Sequence, residues 1–141
     1  VTGLPRVFVD TNILVYAEDK TNQAHHQTAK ALLRELWDTG TGALSTQVLQ
    51  EFYAVVTRKL RPPLPRAEAR RLVADYSEWC VVDTDALLII SASRLEEDHT
   101  LAFWDALVVE AALRAGATEL LSEDLQHGRR FGPLVVRNPF R

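Results

Sequence analysis

The sequence predicts an α/β chain: a central parallel sheet of short strands, covered by helices in three α/β/α layers. Two observations carry that expectation. Short β-rich runs alternate with longer segments whose apolar residues recur at helical spacing, the pattern of strands joined by crossover helices. The strand candidates are also apolar on both sides, as strands covered on both faces must be. At 141 residues with 47% hydrophobic content, folding buries roughly two thirds of the unfolded surface, so one core and one domain over 1–141 are expected.

The first strand is expected over residues 6–10, where Val7, Phe8 and Val9 precede Asp10. A helix follows over 25–39, carried by Ala29, Leu32, Leu33 and Leu36 and stopped at Gly40. Residues 42–45 read as the second strand, and 46–60 as a helix with Val48, Leu49, Phe52, Val55 and Val56. Pro62, Pro63 and Pro65 break the chain before a helix over 66–79. A short strand at 81–82 leads to a helix over 85–97. Thr100 is placed as the cap of a helix over 101–114 that ends at Gly116. Strands at 118–121 and 134–136 complete the sheet.

Composition narrows the function. A net charge of −3 argues against a protein held to nucleic acid by bulk charge alone. Basic residues nevertheless cluster, with Arg58, Lys59, Arg61, Arg66, Arg70 and Arg71 in one group and Arg129, Arg130, Arg137 and Arg141 in another. They read either as solvated surface or as phosphate contacts beside an acidic centre. A single cysteine rules out an internal disulfide, which suits a reducing compartment. No apolar run approaches the ~20 residues that span a bilayer, and the first residues lack a signal-peptide core. A cytoplasmic protein with no membrane partner is therefore expected.

Four carboxylates stand out. In open α/β sheets, ligands bind at the carboxyl ends of the strands. Asp10 ends the first strand and Asp124 follows the strand at 118–121, so both belong at one edge. Glu51 lies in the second turn of the helix after the second strand, near the same edge. Asp105 sits on a helix apolar almost all round, opposite the Glu110–Arg114 stripe. A carboxylate on the buried side of a helix calls for a partner or a metal. Taken singly, each acid has a plainer reading as a turn, cap, surface or salt-bridge residue, and Glu123 competes with Asp124 for the inward position. Together, repelling carboxylates at a sheet edge call for a cation. Hard oxygen donors, with no His or Cys at zinc spacing, favour Mg²⁺ or Mn²⁺. His25 and His26 are expected to face solvent, and His127 is near enough to Asp124 in sequence to help position a substrate.

Four segments in order carry a resemblance: Phe8-Val9-Asp10-Thr11-Asn12-Ile13-Leu14, Leu44-Ser45-Thr46-Gln47-Val48-Leu49-Gln50-Glu51-Phe52, Trp104-Asp105-Ala106 and Leu121-Ser122-Glu123-Asp124-Leu125-Gln126-His127-Gly128. The chain resembles the PIN-domain family over nearly its whole length, and within it the VapC-type ribonuclease toxins. The resemblance implies a PIN-like three-layer fold and a metal-dependent endoribonuclease. Asp10, Glu51, Asp105 and Asp124 match its acidic quartet, serving as metal ligands and catalytic groups, with Thr11, Asn12 and Ser45 in support. It further implies an RNA substrate, a cognate antitoxin and a homodimer. Tyr53, Leu60 and Leu64 read either as core or as dimer contacts. Three other functions compete. An aspartyl phosphatase would want a second acid where Asn12 stands. A non-catalytic RNA-binding or interaction protein would not need the quartet. A PIN nuclease with a housekeeping processing role is separated from a toxin by a flanking antitoxin gene.

Overall fold

A computed structural model describes residues 4–141 and shows a six-stranded sheet in the order β3-β2-β1-β4-β6-β5. The elements run β1 (Arg6–Val9), α1 (Thr11–Tyr16), α2 (Gln23–Thr39), β2 (Gly42–Ser45), α3 (Thr46–Arg58), α4 (Arg66–Tyr76), β3 (Cys80–Val82), α5 (Ala86–His99), α6 (Phe103–Arg114), β4 (Ala117–Leu121), β5 (Arg130–Phe131) and β6 (Leu134–Arg137). β1 pairs in parallel with β2 on one side and β4 on the other. Only β5 runs antiparallel, against β6. The expected α/β architecture is therefore present, with helices packed over a mostly parallel sheet.

Burial explains why the central strands read as continuous apolar runs. Phe8, Val9, Leu44 and Leu120 are fully inaccessible, and α6 adds Ala106, Val109 and Ala112 to the same core. α6 packs on β2 and β4 and is itself covered by α5, while α1 packs against both α2 and α3. That sandwiched position is why α6 lacks a broad polar face.

Three local expectations change. The sequence places no helix over 11–16, yet α1 forms there with Asp10 as its N-cap. Six residues rich in Ile, Val and Tyr carry too little periodicity to signal a helix, and burial of Ile13 and Leu14 overrides their β preference. Thr100 does not cap α6. It ends α5 in the left-handed region at φ 53, its amide donating to the Glu96 carbonyl, and α6 starts at Phe103 with Ala102 as an N-cap that offers no side-chain hydrogen bond. The two-residue strand β5 is likewise too short to announce itself in sequence. It turns into β6 through Gly132 at φ 59, a conformation glycine adopts without strain.

The basic and apolar residues around the Pro turn divide as well. Leu60 is buried, and Leu64 and Tyr53 pack against the core; Tyr53 also lines an open apolar groove between α3 and α4 of about 530 Å³ with Leu49, Arg70 and Val73. Among the described residues no helix is long and apolar enough to cross a membrane.

Candidate active site

The parallel register assembles the site. Val9 lies opposite Leu121, so the residues that follow, Asp10 and Ser122, emerge side by side at the carboxyl end of the sheet. The Asp10 amide donates to the Leu121 carbonyl at 2.9 Å, welding the two strand ends together. The Ser122 hydroxyl then donates to Asp10 Oδ2 at 2.8 Å, and the Thr11 amide to Oδ1 at 2.8 Å. Asp10 is only 6% exposed. Burial pushes its carboxyl up to about 6. The Ser122 and Thr11 hydrogen bonds partly oppose that, and the charges of Asp124 and Glu51 add to it.

Glu51 and Asp105 come from two other elements. Glu51 projects from α3, whose start is fixed by Ser45: the Ser45 hydroxyl accepts from the Val48 amide at 3.2 Å. Ser45 thus acts through the helix rather than at the acids. Partial burial raises Glu51, a hydrogen bond from Gln47 lowers it, and Asp124 and Asp105 raise it further. Asp105 lies in the first turn of α6 and is raised by burial and then by Asp124. It is half-exposed, less enclosed than the helical wheel implied. The wheel misleads because the Glu110–Arg114 side of α6 faces the start of α5, where Arg114 also reaches Asp85 at 3.4 Å.

Asp124 is the common member, since its charge is felt by Asp10, Glu51 and Asp105 alike. Its neighbour Glu123 turns elsewhere. Tyr16 donates to Glu123 Oε1 at 2.9 Å, and His25 Nε2 sits 3.3 Å from Oε2. Burial and then that contact with Glu123 push the Tyr16 phenol up to about 12. His25 stacks on Phe140 at 4.1 Å between ring centroids, and His26 is buried with Nδ1 2.9 Å from the Tyr16 carbonyl. Neither histidine is the free surface residue the sequence suggested, because α1 and the C-terminal residues close over them. His127 Nδ1 accepts from the Asn138 amide at 3.0 Å and so braces the C-terminal loop rather than reaching for a substrate.

Three buried oxygens beside these acids have no hydrogen-bond partner among the described residues: Thr11 Oγ1, Asn12 Oδ1 and Gln47 Oε1. Buried acceptors left unpaired are costly and demand an occupant. Hard oxygens and ionisable carboxylates are the donor set of Mg²⁺ or Mn²⁺, so the residues fit such an ion. No three acidic, His or Cys side chains among the described residues converge tightly enough to hold an ion by themselves. Sequence reasoning missed Ser122 and Gln47. The register that brings Ser122 to Asp10, and the packing that brings Gln47 on α3 to the Trp104 carbonyl on α6, are tertiary facts.

Fold and site together define a mostly parallel α/β protein with acidic residues placed where the central strands end. The PIN-domain family model matches residues 7–130, and the chain belongs to that family. Among solved structures, Mycobacterium tuberculosis VapC20, a Sarcin-Ricin loop cleaving toxin, superposes with a TM-score of 0.64 at 23% identity, covering 84% of this chain and 91% of that one. A toxin–antitoxin complex from Klebsiella pneumoniae gives 0.68 at 16%, covering 94% and 97%. VapBC2 from Rickettsia felis, bound to a DNA fragment from its promoter, gives 0.62 at 22%, covering 94% and 97%. These likenesses establish a shared fold. No curated protein matches the chain significantly by sequence.

Proposed function

We propose that this chain is a Mg²⁺- or Mn²⁺-dependent endoribonuclease, and that it serves as the cytoplasmic toxin of a VapBC-type toxin–antitoxin pair. The observation that supports the reading is the strand register that sets Asp10 beside Ser122, two residues before Asp124, at the carboxyl edge of the sheet, with Glu51 on α3 and Asp105 on α6 near enough to feel the charge of Asp124. Asp10, Asp105, Glu51 and Asp124 would hold the ion, directly or through water. When bound, a divalent ion supplies Lewis acidity and counter-charge at a phosphodiester. Asp10 presents a fixed carboxylate, because each of its oxygens is tied by one hydrogen bond and retains acceptor capacity. Glu51, half in solvent and raised in pKa, is suited to take a proton from the attacking water. Gln47 and Asn12 offer neutral oxygens to ordered water beside it.

The toxin assignment rests on the likeness to VapC and VapBC structures. It brings with it an antitoxin partner and a homodimer, for which the open Tyr53 groove is available. Purified protein should cut RNA with Mg²⁺ or Mn²⁺, stop with EDTA, and lose cleavage on Asp10→Asn. Equal cleavage by Asp10→Asn in clean preparations overturns the site. Growth arrest on induction, relieved by Asp105→Asn, tests the toxin role. Harmless expression at soluble levels points instead to a processing nuclease.

A further inference from the structure

We infer that Trp104 is a stacking platform for an unpaired base of the nucleic acid lying across the acidic site. The inference rests on the nuclease reading above and adds a base-contacting residue to it.

Trp104 is 68% exposed, an unusual state for a large apolar side chain on a helix that is otherwise core. Other exposed apolar residues have different settings. Leu87, Ile89 and Ile90 lie in the first turns of α5, at the end of the α5–α6 pair where Arg114 meets Asp85. Trp37 is engaged by Tyr76 and Trp79, with ring centroids 5.8 and 5.1 Å away. Trp104 sits at the opposite end of α6, immediately before Asp105, and its only ring partner among the described residues is Phe103, edge-on at 5.5 Å.

Its backbone is held in place relative to the acids. Gln47, only 7% exposed, points its Nε2 at the Trp104 carbonyl at 3.5 Å and lies one helical turn before Glu51 on α3. One side chain therefore couples the platform to the acidic centre. The connection leading into α6 is anchored from another side, since the Arg129 guanidinium donates to the His99 carbonyl and lies 4.9 Å above the Phe131 ring.

Charge selects the occupant. Four carboxylates repel a polyanion, so a strand crossing them needs a contact that owes nothing to its phosphates. Stacking on an indole provides that contact and tolerates any base, because every base has a π face. A duplex offers no free base face, so the platform selects single-stranded or looped segments.

The test uses the full chain carrying Asp10→Asn, so that bound strands survive in Mg²⁺. The probes are an oligoadenylate of about ten nucleotides and an abasic ribose-phosphate strand of equal length. Oligoadenylate should quench tryptophan fluorescence and the abasic strand should not. Trp104→Ala should weaken oligoadenylate binding about tenfold, the scale of one lost stack, and leave abasic binding unchanged. Trp104→Phe should restore most of the affinity without the quench. With Asp10 intact, Trp104→Ala should raise KM for RNA cleavage and spare kcat. Wild-type cleavage with an unaltered KM in Trp104→Ala overturns the platform and leaves the nuclease standing. Equal weakening of the abasic strand overturns it as well. Loss of a protein partner with RNA affinity intact assigns the indole to that protein and overturns it too. Absence of both binding and cleavage in the parent protein overturns the nuclease reading and the platform together.

Discussion

Strand β2 touches two regions built on opposite terms. At its first residue, Gly42, the face of Trp79 fills the space a side chain would take, so an added Cβ would lie 2.3 Å from the ring. Trp79 in turn packs edge-on to Tyr76 and Trp37, and Tyr76 edge-on to Phe52. At the last residue of β2, Ser45 caps the helix that carries Gln47 and Glu51, and at that end three buried oxygens have no partner among the described residues. The aromatic flank is satisfied by its own atoms; the acidic end is not. A fold tolerates such an end when a ligand completes it, and stability given up locally marks the place of function.

The largest effect that would break this contrast is on cleavage. Asp10→Asn should lower kcat by more than the roughly 10–100-fold that loss of an outer-shell partner costs a metal site, while gel filtration and circular dichroism stay unchanged. Without metal the same substitution should stabilise. A carboxyl raised from 3.8 to about 6 in the folded state binds more protons than its unfolded counterpart between those values. Its contribution is therefore fully present below about pH 4 and lost as pH rises through 6. In EDTA at pH 7, Asp10→Asn should gain about 1–3 kcal/mol in denaturant melts, a gain that disappears near pH 4. Destabilisation at both pH values would make Asp10 a structural residue.

At the aromatic end the direction reverses. Gly42→Ala should lose about 1–3 kcal/mol to overpacking against Trp79, with kcat of the remaining folded protein within about twofold of wild type. A neutral result would show that the ring shifts freely. Ser122→Ala tests the hinge between strand ends. It removes the hydrogen bond that lowers the Asp10 pKa, so the acid limb of the pH–rate profile should move to higher pH, with activity down roughly 10-fold. An unmoved limb would detach Asp10 from the pH dependence.

The smallest effect separates two adjacent acids. Glu123→Gln loosens a half-exposed contact with His25 and should change stability by less than about 1 kcal/mol, leaving cleavage nearly intact. Asp124→Asn should impair cleavage and Mg²⁺ binding by calorimetry. The reverse ranking would exchange their roles.

Much of this molecule was legible before any coordinates. Apolar runs and glycine stops located most helices and strands, because burial of a strand or helix face leaves its period in the chain. The carboxyl-end rule for parallel sheets brought Asp10 and Asp124 to one edge from sequence alone. Other features depended on contacts between distant segments. That Glu123 is held by Tyr16 and His25 was decided by residues more than ninety positions upstream. Ser122 met Asp10 only through strand register. Trp104 belonged to the core by composition and to the surface by position. Sequence periodicity records which side of an element is buried; which neighbours complete a site is settled only when strands pair and helices pack.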